Sequence, residues 1–153
     1  MGQFVSTGYR LTPVSRGTGG NKGGRTDAMR DHTKLRAFEL ANEVAISIYR
    51  ATRTFPKEEI YGLTSQMRRA AVSIPSNIVE GCARESLTEY LRYLEIAFAS
   101  ARELHYQFTL ATHLGYVNAV EVPEYESKFT EVEKVLYALI RSLRKTNSLQ
   151  PTN

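Results

Sequence analysis

The chain has 153 residues, 42% hydrophobic and 24% charged, with one cysteine and a formal net charge of +4. This length is enough for one domain with its own core, and the lone Cys82 excludes an intrachain disulfide framework. No run approaches the roughly 18 apolar residues of a membrane-spanning helix, and the N-terminus lacks an apolar secretion segment, so we expect a cytoplasmic protein without membrane association.

Residues 1–28 differ from the rest of the chain in composition. They hold seven of the ten glycines and four basic residues against one aspartate, without an apolar period. This composition predicts a flexible basic tail. Gly19, Gly24, Arg25 and Thr26 nearly match the loop G-x-x-x-x-G-K-[ST], but no strand precedes them, so we expect no nucleotide site. Because a methionine follows directly at position 29, two interpretations stay open: a native tail, or an upstream extension.

The first two amphipathic segments have apolar residues at three- and four-residue steps, which is typical of helices. The first runs from Lys34 to about Thr54 and stops before Pro56. The second begins at Pro56, a favourable first helical residue, and ends near Gly81. Pro75 lies in its middle and removes one backbone hydrogen bond, which predicts a kink.

The third and fourth segments repeat this helical pattern. Ser86 and Glu89 form a capping box at the start of the third helix, and Gly115 ends its pattern. Pro123 opens the fourth helix.

The four segments together predict the fold class. Helices with one apolar stripe each, joined by short connections, favour an all-α, antiparallel up-down four-helix bundle over residues 29–146, with a kinked second helix. We expect residues 147–153 to fray. No segment has the two-residue period of a strand.

The histidines and the cysteine do not form a recognisable catalytic or metal pattern. Di-metal sites in bundles need Glu-x-x-His pairs, whereas Arg102 stands three residues before His105 and Leu110 three residues before His113. All three histidines are therefore expected at the surface or in a seam between helices. Cys82 continues an apolar stripe, which indicates core packing rather than a nucleophile. We expect no enzymatic activity, metal or cofactor.

A polar ribbon follows the second helix beside its apolar stripe. Its members, at three- and four-residue steps, are Gln66, Arg69, Ser73, Asn77, Glu80 and Arg84. A looser ribbon on the third helix contains Glu89, Arg92, Ser100, Glu103 and Gln107. Two interpretations stay open. The ribbons are solvent-exposed faces, or they form a polar seam between helices or subunits, in which Asn77, Glu80, Ser100 and Glu103 satisfy one another and the arginines face a partner.

The stretch from Phe55 to Gly81 resembles the signature of a known family. It contains, in order, F-P-x-x-E, T-x-Q-x-R-R-A and S-I-P-x-N-I-x-E-G. The chain is similar, over about Lys34 to Lys145, to the four-helix bundle proteins encoded by intervening sequences within bacterial large-subunit ribosomal RNA genes. These proteins are also called the S23 ribosomal protein family.

The resemblance implies a homopentameric ring without established catalytic activity. It also implies a remote similarity to accessory proteins of diversity-generating retroelements, which bind nucleic acid and a reverse transcriptase through a basic surface. Two positions depart from the family pattern: Ala99 replaces a glycine, and His105 replaces a second glutamate after Glu103. The near-neutral charge of the bundle does not favour a strongly basic surface.

Two functions follow as hypotheses. In the first, a homo-oligomer, pentameric by the resemblance, binds nucleic acid, RNA rather than DNA. The candidate contacts are Arg68, Arg69, Arg84 and Arg92, repeated by symmetry. In the second, the protein is an interaction scaffold or accessory subunit without nucleic-acid contact, and a reverse transcriptase is its partner by remote analogy. Its arginines are then paired with glutamates, namely Glu58, Glu80, Glu85 and Glu89.

Overall fold

The computed structural model describes residues 29–149, and this part of the chain contains four α-helices and no β-strand. The helices are α1 (Arg36–Ala51), α2 (Leu63–Cys82), α3 (Leu87–His113) and α4 (Val122–Ser148). Three short 3-10 turns lie at His32–Lys34, Thr52–Thr54 and Lys57–Tyr61. The tail predicted for residues 1–28 lies outside the described residues.

The helices form the predicted bundle. Each helix packs against its two neighbours in the order α1, α2, α3, α4 and back to α1. Contacts across one helix pair show the antiparallel direction, because Ser73 of α2 meets Ser100 of α3, whereas the later Arg84 meets the earlier Tyr93. None of the described helices is long and apolar enough to cross a membrane.

The core consists of the apolar stripes of all four helices. Its largest fully buried side chains are Phe108, Phe129, Ile48, Met67, Ile74, Ile78, Leu94, Leu104, Leu136, Val44, Val132 and Cys82. The rings of Phe108 and Phe129 pack edge to face, with centroids 5.0 Å apart. Burial stabilises each large side chain by about 1.5–3 kcal/mol relative to exposure, so this core provides a rigid frame for the surface residues.

The α-helix of the second segment begins later than predicted. Residues 57–61 after Pro56 form a 3-10 turn, and Gly62 (φ −106°, ψ −119°) leaves the helical region before α2 starts at Leu63. The Glu59 carboxylate accepts a hydrogen bond from the Leu63 amide at 2.8 Å. Proline and acidic residues therefore do start a helical turn here, but the glycine separates that turn from α2.

The predicted N-cap serine and C-terminal glycine of α3 are confirmed, whereas Glu89 accepts from the Ser86 hydroxyl rather than from the Ser86 amide that a capping box requires. Ser86 Oγ accepts a hydrogen bond from the Glu89 amide at 3.1 Å, and Gly115 adopts a φ of +76° directly after the C-cap residue. Pro123 lies in the first turn of α4. Helix α4 continues to Ser148, two residues into the segment expected to fray.

Helices α2 and α3 approach closely at Gly81. A Cβ atom on this residue would lie 2.9 Å from Tyr93 Cβ and 3.1 Å from Tyr90 Cδ2. Real Cβ atoms do not pack at the shorter of these distances. Gly81 is therefore required by packing rather than by backbone conformation. Helix α2 continues as an α-helix through Pro75.

Candidate functional site

The structure separates the four candidate arginines into two groups. Arg68 and Arg69 lie in the first half of α2, whereas Arg84 follows the end of α2 and Arg92 lies near the start of α3. At 1.5 Å per residue, about 20 Å of helix separates the two groups. A single chain therefore does not gather the four arginines on one surface.

The first group lies beside the end of α1. The guanidinium of Arg68 lies over the ring of Tyr49, with 4.9 Å between its Cζ and the ring centroid, and Arg68 Nε donates to Thr52 Oγ1 at 2.9 Å. The Thr52 hydroxyl in turn donates to the Ile48 carbonyl oxygen at 2.8 Å, and Thr52 is buried. These contacts hold Arg68 in one orientation. Helix α1 ends at Ala51, whereas the sequence predicted an end at about Thr54. The hydrogen bond from the Thr52 hydroxyl to the Ile48 carbonyl oxygen lies at this end of the helix.

Tyr49 stands between two open clefts. The larger, of about 520 Å³, is lined by Tyr49, Ile60, Thr64, Ser65, Arg68, Arg69, Val72 and Ser73. The smaller, of about 310 Å³, is lined by Ala45, Ile46, Tyr49, Arg50 and Arg53. We call Tyr49 together with Arg50, Arg53, Arg68 and Arg69 the Tyr49 surface. Sequence reasoning missed Tyr49, Arg50 and Arg53, although an Arg-x-x-Arg spacing at the end of a helix was a visible signal.

The arginines of the Tyr49 surface are not neutralised by carboxylates. Within residues 29–149, the basic groups that form salt bridges are those of Lys34, Arg36, Arg102, His105, Lys128 and Arg144. Within these residues of one chain, the candidate arginines form no salt bridge with Glu58, Glu80, Glu85 or Glu89, and pairing across subunits stays a hypothesis. Three of these arginines, Arg50, Arg53 and Arg69, are exposed and Arg68 is half-buried. A group of cations without counter-charges produces a positive local potential, even though the bundle as a whole is nearly neutral.

The second group has a structural contact. Arg84 Nη2 donates to the Tyr93 hydroxyl at 2.7 Å, and its guanidinium lies over the same ring. Arg30 Nη1 donates to the Arg84 carbonyl oxygen at 2.7 Å and lies over the Tyr90 ring. These contacts join the segment before α1 to the connection between α2 and α3. Arg92 is exposed and makes no side-chain hydrogen bond among the described residues.

Part of the predicted polar seam lies between α2 and α3 of one chain. Ser73 Oγ and Ser100 Oγ are 2.9 Å apart, and Ser100 is buried. Asn77 Nδ2 donates to the Ser73 carbonyl oxygen at 2.7 Å and to Ser73 Oγ at 3.0 Å. The structure therefore brings Ser73, Asn77 and Ser100 together.

The other predicted seam residues do not join this network. Glu103 accepts from Gln107 Nε2 at 3.1 Å on its own helix, and both Glu80 and Gln66 are exposed. Within one chain, Glu80 and Glu103 do not hydrogen-bond with Asn77 or Ser100, and a seam between subunits stays a hypothesis. The reason is helical phase, since each of these glutamates lies three residues from its seam neighbour and is turned about 60° further toward solvent.

A charged cluster between α3 and α4 was not predicted. His105 Nδ1 lies 2.8 Å from Glu133 Oε1, and His105 Nε2 lies 2.6 Å from Glu126 Oε2. Arg102 Nη1 donates to Glu133 Oε2 at 2.9 Å. An ionised carboxylate only accepts hydrogen bonds, so both ring nitrogens must donate, and His105 is an imidazolium in this arrangement. The sequence placed His105 at the surface or in a seam but did not identify its partners.

The pKa of His105 reflects two opposing effects. Burial lowers it, but the hydrogen bonds to Glu133 and Glu126 and the charges of these carboxylates outweigh burial, so the pKa is raised above its usual value. A visible signal was the three-residue spacing of Arg102 and His105 on one helix, matched by the seven-residue spacing of the glutamates on the next.

Cys82 lies in the core at the end of α2, as predicted. It is 2% exposed, and burial raises the pKa of its thiol. The neutral thiol is therefore favoured over the reactive thiolate. Within residues 29–149, no group of three or more His, Cys, Asp or Glu residues is arranged to hold a metal ion.

Comparison with known proteins gives the family. A family model described as 23S rRNA-intervening sequence protein matches residues 33–138. A solved structure of a protein with unknown function from the S23 ribosomal protein family of Bacteroides thetaiotaomicron VPI-5482 is 23% identical. It has a TM-score of 0.63, and the similarity covers 69% of this chain and 95% of that one. The similarity to this solved structure concerns the fold. No curated protein matches the chain. Since the family model spans more than half of its residues, the chain belongs to the 23S rRNA-intervening sequence protein family.

Proposed function

We propose that this protein is a non-enzymatic, homo-oligomeric nucleic-acid-binding protein of the cytoplasm, and that its preferred ligand is RNA. The observation that carries the proposal is the Tyr49 surface, where four arginines without a salt bridge among the described residues line two adjoining clefts together with the half-exposed Tyr49. Arginine binds phosphate with paired hydrogen bonds and stacks on planar groups, so both parts of a nucleotide find a partner here. The preference for RNA rests on the family.

Oligomerisation is the second part of the proposal, and a pentamer is the assembly that the family resemblance implies. A ring would repeat the Tyr49 surface in every subunit, so that a modest local charge contributes several times to one extended ligand. Exposed apolar residues on α3 support self-association. Ile96 and Leu110 are 40% and 37% exposed and lie fourteen residues apart, hence on one face of the helix.

Salt-dependent binding of the full chain to a labelled structured RNA tests the nucleic-acid proposal. Neutralising Arg53 and Arg69 together (Arg53→Gln, Arg69→Gln) should weaken binding and reduce the slope of log K against log salt by about 0.7–0.9 for each phosphate that is no longer bound. Arg141→Gln on α4 is the matched control, because Arg141 is also exposed but lies on a different helix. Unchanged affinity and slope in the double variant would refute the role of this surface.

The basic tail needs its own control in the full chain. A variant with all four basic residues of the tail replaced by glutamine (Arg10, Arg16, Lys22 and Arg25) should retain RNA binding if the bundle carries the site. Loss of binding in this variant alone would assign the nucleic-acid contact to the tail instead.

An interaction scaffold is the alternative function, and the exposed apolar residues Ile96 and Leu110 on α3 are the observation that favours it. If no RNA binds in a salt-dependent manner, this alternative leads. Its interface hypothesis is tested by replacing Arg69 and Glu80 together with alanine and recording the native mass. A smaller assembly supports the ribbon on α2 as the subunit interface, and an unchanged mass argues against it.

A further inference from the structure

We propose that the Tyr49 surface binds single-stranded in preference to double-stranded nucleic acid, by stacking an unpaired base on the paired Tyr49 ring and Arg68 guanidinium. This inference rests on the nucleic-acid function proposed above and specifies the form of the ligand. It concerns the aromatic centre of the surface, whereas binding to phosphates uses the arginines around it.

The stacking platform is held in place before any ligand arrives. Arg68 is fixed over Tyr49 by its hydrogen bond to Thr52 Oγ1, and Thr52 is only 3% exposed. Tyr49 as a residue is 45% exposed. A platform that is already ordered loses little conformational entropy on binding, which favours its use as a contact.

The smaller of the two clefts beside Tyr49 bears on which bases can bind. The smaller cleft, about 310 Å³, is at the lower end of the range for small-molecule sites and has aliphatic walls from Ala45 and Ile46, with Arg50 and Arg53 at its edge. Its lining contains no amide or carboxylate side chain that could select a base edge. Arginine can read a guanine edge, so we expect tolerance among the other bases, as in sites where stacking provides the affinity.

The strand preference follows from which parts of a nucleic acid are accessible. In a duplex the bases are stacked on one another and only their edges and the phosphates are exposed, whereas an unpaired base can turn its flat face onto a protein ring. The arginines of the Tyr49 surface contact the phosphates of either form. Only the single strand can also use the Tyr49 ring, so the ring decides the difference between the two.

The experiment compares a labelled single-stranded uridine oligonucleotide with an RNA duplex of the same length, using the full chain at several salt concentrations. Tyr49→Ala should weaken single-strand binding by at least about fivefold and leave duplex binding unchanged. The slope of log K against log salt should not change, because the variant removes no charge. Tyr49→Phe should retain the single-strand affinity.

A matched control uses another exposed tyrosine. Tyr137 on α4 is 53% exposed, and Tyr137→Ala should leave the affinity for both probes unchanged. Equal losses for the two probes in Tyr49→Ala, or an unchanged single-strand affinity, would overturn the stacking inference. In that case, if the variant with Arg53 and Arg69 neutralised binds both probes more weakly than the native chain, the proposed nucleic-acid function stands without the stacking inference. Absence of salt-dependent binding to either probe would refute both the stacking inference and the proposed nucleic-acid function. Competition by a polyglutamate that is as effective as the oligonucleotide would refute both as well.

Discussion

The charged cluster between α3 and α4 predicts that His105→Gln destabilises the bundle in a pH-dependent manner. The variant loses two charge-assisted hydrogen bonds, of which the one to Glu133 matters more, because that side chain is 12% exposed whereas Glu126 is 38% exposed. Glu133 keeps its bond to Arg102, whereas Glu126 loses its one side-chain partner and is left to solvent, to which it is already 38% exposed. We expect a loss of about 2 kcal/mol at the pH where His105 is charged.

The pH dependence follows from the raised pKa of His105. A histidine whose pKa is higher in the folded than in the unfolded state contributes its full stabilisation below the unfolded value, about 6.5. The contribution is lost as the pH rises through the folded value. The difference in stability between the native chain and His105→Gln should therefore be largest near pH 6 and smaller near pH 9.

Thermal unfolding at fixed protein concentration measures this difference. A loss of about 2 kcal/mol corresponds to a decrease of roughly 6–10 °C in the unfolding midpoint for a bundle of this size. His113→Gln is the matched control, since this exposed histidine at the end of α3 forms no salt bridge among the described residues. The reasoning is refuted if the midpoints of the native chain and His105→Gln differ by the same amount at both pH values.

Two further predictions concern helix packing and capping. Gly81→Ala should destabilise the bundle by about 1–2 kcal/mol, because the clash with Tyr93 exceeds the gain in helix propensity. The control is Ser76→Ala at an exposed position of α2, which should be neutral or slightly stabilising. A Gly81→Ala variant that is more stable than the native chain would contradict the close approach. Ser86→Ala should cost about 1 kcal/mol by removing the acceptor of the Glu89 amide, and Ser86→Asp should restore it, both measured by denaturant unfolding. Equal stability of the alanine and aspartate variants would show that the cap contributes nothing.

Much of the fold could be predicted because its signals are local. The period of the apolar residues identified four helices, and the Ser86 cap and Gly115 marked the ends of α3 correctly. The start of α2 was wrong because two local signals compete there. Pro56 favours a helical turn, whereas Gly62 breaks it six residues later, and the observed 3-10 turn is the result.

Less of the candidate site could be predicted. Arg68 and Arg69 were identified from the sequence. They do not lie on one surface with Arg84 within one chain, because most of α2 separates the two positions. Tyr49 continues the apolar spacing of α1, four residues after Ala45, but it is half exposed. The difference arises because the stripe is wider than the buried surface, and only packing against α2 decides which of its edge residues stay accessible.

Four features can be read from the sequence without the structure: the number of helices, their order, the buried stripe on each and the family signature between Phe55 and Gly81. These features depend on interactions within a few residues along the chain. The tertiary structure alone decided that Arg68 meets Tyr49 and that His105 meets two glutamates of α4. Such contacts join different helices, so they depend on how each helix is rotated and shifted against its neighbour. That rotation and shift come from the packing of the whole core, which no single segment specifies.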